Sequence, residues 1–419
     1  MANFNDSRRG MFIKACRFMV NVETLNINNV ELSKEILQAV RAFPRLKNLS
    51  ITSCNFDSKV KSSDIQKLGS LRLEKLSLLD SSDTLKFTYL IHAIYPPSLK
   101  ELTSNSWEFM RTIASQTVDL DLETLVISQP SDTKVSFVEL QNALERTPNL
   151  RCLKLLFSSE FHLNTNNFSL PDTSIPNLRV LSCPASLLPA LVRTRPVNNI
   201  SIVGYSQGFT SKVILAALKT SSGNISSLSV PIRVTLRSSF GDSFPQLKHL
   251  VVDCTDLYPE EYFFESVLQQ LCDAHPVNNV LQTLETLFRD TSFEDADPSF
   301  RDLSLQYDTI TSVILPKFPN LEEFSVSKYV KWTKVPGCSE WKAKVPLVVR
   351  PEVLQYLMVY EEGEGEWFGD NLILINVSKA PPLEPMAGSQ VISIHSDATP
   401  YLYSPIIMHT YVFENFNSH

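Results

Sequence analysis

Glycine is scarce in this chain: 11 residues in 419, roughly 2.6% where ordinary usage is near 7%. Folds that seat nucleotides on glycine-rich loops, or that turn on φ > 0 residues, need far more of it. No Walker loop and no dinucleotide fingerprint is present. Positive charge is also short, with 38 Lys and Arg against 45 Asp and Glu and a net charge of −7. Without a basic stripe to neutralise a phosphate backbone, nucleic acid is excluded as an expected partner. Long apolar runs are missing too. No segment reaches the 18 or so residues of a membrane span. Arg8, Arg9, Lys14 and Arg17 interrupt the one apolar stretch near the start, so neither a membrane nor a secretory signal is expected. Seven cysteines, scattered from Cys16 to Cys338, form no disulfide framework and no Cys-x-x-Cys. His92, His162, His249, His275, His395, His409 and His419 are dispersed without a His-Glu-x-x-His, so no metal and no cofactor is expected. The absences point to a protein of the cytoplasm or nucleus that is not an enzyme. At 43% hydrophobic residues it has ample material for a core.

What the chain does have is a repeat. The hexapeptide Pro, any, Leu, charged, any, Leu or Phe begins at Pro44, Pro97, Pro148, Pro176, Pro245 and Pro319. Composition predicts on the order of 0.1 such matches, so six are a repeat. Copies without the proline, reading apolar-x-x-apolar-x-apolar, begin at Val22, Leu73, Leu122, Val197 and Ile225, with a late one at Leu354. Together the first ten units start at residues 22, 46, 73, 99, 122, 150, 178, 197, 225 and 247, a mean step of 25. Leucine-rich repeats run about 20–29 residues on this Leu-x-x-Leu-x-Leu core. The interval from Leu247 to Leu321 leaves room for roughly two more units.

Helical periodicity fills the spaces between these strands. Ile36, Leu37, Val40 and Phe43 share one face and end at Pro44. Ser136 and Glu139 read as a capping box ahead of Leu140 and Leu144. Ser211 opens a run with Val213, Ile214, Leu215 and Leu218, and Phe264, Val267, Leu268 and Leu271 mark the clearest helix. Neither strand nor helix can bury its apolar face alone, so neighbouring units must stack. The expected fold is an α/β leucine-rich-repeat solenoid, a horseshoe with a parallel concave sheet and convex helices. In it, proline-led strands take the place of φ > 0 turns. Residues 22–360 form the repeat domain, 1–21 an N-terminal cap or the remnant of an upstream module, and 361–419 a partly β C-terminal cap. Glu361, Glu362, Glu364, Glu366 and Asp370 make an acidic decade with no base. It reads as a solvated loop or as a docking segment for a basic partner.

Side chains between the consensus leucines point out of the sheet. One column runs Asn26, Ser50, Ser77, Thr103, Val126, Lys154, Ser182, Ser201, Ser229, Val251 and Ser325; the next runs Thr24, Asn48, Lys75, Glu101, Thr124, Cys152, Val180, Asn199, Ser227, His249 and Glu323. The polar members form a neutral, hydrogen-bonding face with mixed charge at its edges, suited to a protein partner.

These repeats resemble those of fungal F-box-like leucine-rich-repeat proteins. The resemblance rests on the six hexapeptides and covers roughly residues 20 to 360. It implies a substrate receptor of a Skp–cullin–F-box type ubiquitin ligase, with the cullin adaptor as a second partner. An F-box would lie upstream of the repeats; only 21 residues precede Val22, and they hold no Leu-Pro-x-Glu. A protein-interaction scaffold outside any ligase is the alternative.

One catalytic motif competes. Gly204-Tyr205-Ser206-Gln207-Gly208 matches the nucleophile elbow Gly-x-Ser-x-Gly and resembles the form found in cutinase-like esterases. It follows a strand at Ile200 and precedes the helix from Ser211, and chance predicts on the order of 0.03 matches. Asp253, Asp256 and His275 follow it in the expected order. Every unit here is strand, loop, helix, so that context is shared by all of them, and no glycine-rich oxyanion segment is present. Ser206 is thus a remote candidate nucleophile.

Overall fold

The computed structural model describes residues 19, 21–79, 89–90, 98–128, 136–157, 168–204, 210–237, 240–255, 264–288, 303–327, 330–337, 341–344 and 390–395. Its strands, in chain order, are β1 (Val22–Asn28), β2 (Glu31–Leu32), β3 (Asn48–Thr52), β4 (Asn55–Phe56), β5 (Lys75–Leu79), β6 (Glu101–Ser104), β7 (Thr124–Ser128), β8 (Cys152–Leu156) and β9 (Val180–Cys183). They continue as β10 (Asn199–Ile202), β11 (Ser227–Pro231), β12 (His249–Asp253), β13 (Thr283–Leu287), β14 (Glu323–Ser327), β15 (Val330–Lys334), β16 (Trp341–Lys344) and β17 (Gln390–His395). Fifteen of these form one sheet in the order β16-β15-β14-β13-β12-β11-β10-β9-β8-β7-β6-β5-β3-β1-β17. From β1 to β14 every pairing is parallel and between consecutive units. Two antiparallel pairings, β14 with β15 and β15 with β16, end the stack. At the far edge β17 pairs parallel with β1. The small strands β2 and β4 pair separately, just beyond the ends of β1 and β3.

Each of the five hexapeptides whose proline is described folds as a turn that launches a strand. The residue ahead of the proline is buried at Phe43, Thr147, Ile175, Phe244 and Phe318. Its carbonyl accepts the amide of the leucine three residues on, at 3.0–3.4 Å. Proline suits the second position of such a turn, because its φ is already near −65° and it has no N–H to satisfy. The leucine then enters the core, and the charged residue after it is left at the rim where the strand begins.

Across the strands, Leu25, Leu49, Leu76, Leu102, Leu125, Leu153, Leu181, Ile200, Leu228, Leu250, Leu284 and Phe324 lie opposite one another in register, and all are buried. Burying one such side chain is worth about 1.5–3 kcal/mol, and each unit depends on its neighbours for that burial. Helices supply the other wall. Lys34–Arg41 buries Ile36, Leu37, Ala39 and Val40, with the Ser33 hydroxyl accepting the Ile36 amide at its start. Phe264–Ala274 buries Val267, Leu268 and Leu271. Strands stack about 4.8 Å apart, whereas packed helices need about 8–10 Å. With a helix outside the strand in most described units, the helical layer is the longer, so the sheet lines the inner, concave arc.

Three expectations change. First, Ser136 caps its helix as read, its hydroxyl accepting the Glu139 amide. The Glu139 carboxylate, however, turns to the preceding unit, accepting the Trp107 indole N–H at 2.6 Å and the Arg111 Nε–H at 3.1 Å. The buried Trp107 indole N–H gains a charged acceptor this way, and that bond takes the place of the return bond of a capping box. Second, after the strand that Leu247 launches, β12, one further strand, β13, precedes β14 among the described residues. Thr286 stands where the pattern wants an apolar residue; it is fully buried and donates to the Ser325 and Val326 carbonyls. A helix at Leu303–Thr309 running into a π-helical turn at Ile310–Ile314 takes up much of the remaining length.

Third, φ > 0 turns do occur. Asn29 and Ser53, at φ 54° and 52°, close β1 and β3, and Gly204 at 67° closes β10. Asn and small polar residues tolerate this region, which is why so little glycine is needed. Gly223 serves a different purpose: a Cβ there would lie 2.7 Å from the Pro196 carbonyl carbon. The late copy at Leu354, the acidic decade, residues 1–18 and nearly all of 361–419 lie outside the described residues.

Candidate protein-binding face

The register converts the two columns into two rows in space. Asn26, Ser50, Ser77, Thr103, Val126, Lys154, Ser182, Ser201, Ser229 and Val251 lie opposite one another, followed by Glu285 and then Ser325. Glu285 is missing from the sequence-derived row because Thr286 broke the pattern that would have revealed its strand. The second row is Thr24, Asn48, Lys75, Glu101, Thr124, Cys152, Val180, Asn199, Ser227, His249, then Thr283 and Glu323. Most of these residues are half-buried, as side chains on the open face of a sheet should be.

The rows differ in how they satisfy their polar groups. In the second, Asn48 Nδ2–H donates to Thr24 Oγ1 at 2.9 Å, Lys75 meets Glu101 at 2.8 Å, and His249 Nδ1 lies 3.1 Å from Thr283 Oγ1. Glu323 pairs with Lys331 at 2.7 Å. Cross-strand pairs of this kind knit the sheet. In the first row, the hydroxyls of Ser50, Ser77, Thr103, Ser182, Ser201 and Ser229 have no side-chain hydrogen-bond partner among the described residues. They form a line of uncommitted donors and acceptors at strand spacing.

Glu285 is the one acid in that row. Burial pushes its carboxyl above the usual range, partly offset by Lys331. A raised folded-state pKa means that the folded protein holds the proton more tightly than the unfolded chain. The contribution to stability therefore falls as pH rises from the ordinary carboxylate range through the folded value. Glu285→Gln should raise the melting temperature at pH 7 by about 1–2 °C and leave it unchanged at pH 3.5. Thermal scans at the two pH values check this; equal melting at pH 7 would count against the burial cost.

Burial raises the pKa of every described cysteine thiol. Cys272 is pushed up to about 12. Cys54 sits in the repeat's Asn/Cys position, donating toward the Thr52 carbonyl at 3.2 Å and accepting the Val30 amide at 3.4 Å. All are free thiols, and at neutral pH they remain protonated and poorly nucleophilic.

Of the esterase constellation, Ser206 and Asp256 lie outside the described residues. Asp253 caps its own turn, its Oδ1 accepting from the Thr255 amide at 2.9 Å and from the Thr255 hydroxyl at 2.6 Å. His275 is buried, its ring stacked on Phe240 at 5.9 Å. Among the described residues no group of three or more His, Cys, Asp or Glu could hold a metal ion. No described helix is long and apolar enough to cross a membrane.

Sequence reasoning missed two features. Arg195 is fully buried and makes four hydrogen bonds, all to backbone carbonyls: Ser174 at 3.0 Å, Ala190 at 2.8 Å, Arg193 at 3.0 Å and Pro171 at 2.8 Å. The second is the alignment of the hexapeptide's charged position into one rung along the N-terminal ends of the strands.

A parallel stack of strand–turn–helix units on a Leu-x-x-Leu-x-Leu core, with helices as its outer layer, is an α/β leucine-rich-repeat solenoid. No protein-family model and no curated protein matches the chain. Among solved structures it is similar to a chain of the Rad7–Elc1 complex in yeast, at 16% identity and a TM-score of 0.42, over 68% of this chain and 75% of that one. It is also similar to LegL7, a leucine-rich repeat-containing protein from Legionella pneumophila, at 15% identity and a TM-score of 0.38, over 85% and 95% of the two chains.

Proposed function

We propose that the chain is a protein-binding solenoid that holds a partner on its concave face. The row of hydroxyls carries this reading. Six of them, in register and half-buried or nearly buried, make no side-chain bond within the described residues, while the row beside them is bonded across strands at Thr24–Asn48, Lys75–Glu101 and His249–Thr283. A partner that supplies complementary polar groups gains hydrogen bonds with little ordering cost, because the sheet already fixes the hydroxyls. In this reading the repeat domain spans residues 22–360 between terminal caps at 1–21 and 361–419. The free, buried thiols suit a reducing compartment, the cytoplasm or nucleus.

The finer reading is that of a substrate receptor in a Skp–cullin–F-box type ligase, and it rests on the resemblance of the proline-led hexapeptides. Affinity purification of the full chain separates it from a plain scaffold. Ser201→Arg with Ser229→Arg places two long cations on the row without touching the core. The expected result is loss of the captured partner by at least tenfold, with the fold intact by circular dichroism. Retention of the partner by this variant would overturn the concave-face reading. Recovery of the cullin adaptor with the partner would support the ligase role; the same partner without the adaptor would favour the scaffold.

A further inference from the structure

The charged position of the hexapeptide forms a row of its own at the rim where strands begin. Each residue's amide donates to the carbonyl of the one before, along Glu23, Lys47, Glu74, Lys100, Glu123, Arg151, Arg179, Asn198, Ser226, Lys248, Gln282, Glu322 and Lys334. The first half alternates in sign and neutralises itself: Lys47 meets Glu23 at 3.6 Å and Lys100 meets Glu123 at 3.5 Å. From Arg151 the alternation stops. Through Gln282 the row holds Arg151, Arg179 and Lys248 and no acid. The row directly inside it, from Cys152 through Val180, Asn199, Ser227 and His249 to Thr283, adds none. Arg179, Lys248 and Lys334 make no ion pair among the described residues, and Arg151 reaches Glu123 only at 3.9 Å. At the distal end a cleft of about 960 Å³ opens between Lys248 and Lys334, with Asn279, Gln282, Asn320 and Glu322 on its walls. In a chain of net charge −7, this rim carries four cations, Arg151, Arg179, Lys248 and Lys334, against one acid of its own, Glu322.

We propose that this rim, from β8 to β15, docks an extended acidic stretch of the partner protein. The inference rests on the protein-binding reading above and names the chemistry of part of that partner. Charge complementarity selects the occupant, and the length of the rim sets its size. Seven strand spacings separate β8 from β15. At about 4.8 Å each they make a rim of about 34 Å, the reach of an extended peptide of about ten residues. Its carboxylates would meet Arg151 and Arg179 at one end and Lys248 and Lys334 at the cleft, with the neutral amides and hydroxyls between them. Electrostatic pairing of this kind sets register and on-rate and weakens with salt.

The test uses the full chain and a fluorescein-labelled decapeptide of alternating Glu and Ser, read by fluorescence anisotropy. Saturable binding is expected in 50 mM salt, at least tenfold weaker in 300 mM salt. Arg179→Glu with Lys248→Glu should weaken it at least tenfold, while Lys47→Glu with Lys100→Glu, in the alternating half, should leave it within twofold. Equal binding of a Lys-Ser decapeptide, or affinity unmoved by the first pair of reversals, would overturn the proposal. So would silence of the wild type where a variant with Glu361, Glu362, Glu364 and Glu366 changed to Gln and Asp370 to Asn binds; the occupant would then be this chain's own acidic decade. Peptide that fails to bind while the concave-face partner is still captured defeats the rim alone. Loss of capture with peptide binding intact defeats the concave face alone.

Discussion

Arg195→Ala should destabilise the solenoid by about 3–5 kcal/mol, because it orphans several buried carbonyls at once and each costs about 1–3 kcal/mol. The guanidinium ties the Pro171–Ser174 turn to the end of the helix Leu188–Val192. It also has strain to hold. Ile175, next to that turn, sits at φ 46°, a region that β-branched residues avoid, and Thr194 sits at 60°. Burial lowers the Arg195 pKa, which the nearby Asp172 partly offsets, and an arginine stays charged under that pull. Arg195→Lys should recover only part of the loss, since an ammonium on a flexible stem cannot make the planar fork. Urea unfolding followed by amide exchange across β9 and β10 gives the measurement. If Arg195→Met unfolded within 1 kcal/mol of the wild type, the fork would be dispensable.

Trp107→Ala should cost a similar amount, about 3–5 kcal/mol, the range for emptying a large aromatic site. Trp107 is buried, meets Phe157 edge-on at 5.9 Å, and gives its N–H to Glu139. Trp107→Phe separates the two contributions. It retains most of the packing but deprives a carboxylate of a charge-assisted bond worth about 1.5–3 kcal/mol. Combining Trp107→Phe with Glu139→Gln should then cost less than the sum of the two single changes, because both remove the same bond. Full additivity in chemical denaturation would show that the indole and the carboxylate act independently.

The architecture was legible because its determinants are local. A buried residue, a proline and a leucine specify the turn of each proline-led unit; two further apolar positions specify each strand; the spacing specifies the stack. Where one of these is replaced, the reading fails for a physical reason. Thr286 fills an apolar position by giving its hydroxyl to two carbonyls of the next strand, so β13 and Glu285 stayed hidden. Arg195 is one arginine among 38 basic residues, and only the fold shows that its donors face a cage of carbonyls. Glu139 was assigned to its own helix because a capping box is a sequence-local device, whereas its actual donor lies 32 residues away. The charged hexapeptide position was visible from the start. Its loss of alternation after Glu123 became meaningful only when the register set the units side by side.

The antiparallel pair that ends the stack has a consequence for how copies of the protein meet. Units related by a simple translation are, in principle, complementary to one another end to end, and a head-to-tail contact that never closes builds a fibre. Here β15 runs against the others and β16 turns back to their direction, with Trp332 and Trp341 buried in this closing meander. A second molecule arriving at that end would meet a non-repeating meander with two aromatic rings already packed, in place of another leucine-bearing unit. The meander closes the described series: it carries no proline-led hexapeptide, and so offers no repeat unit for a neighbour to continue.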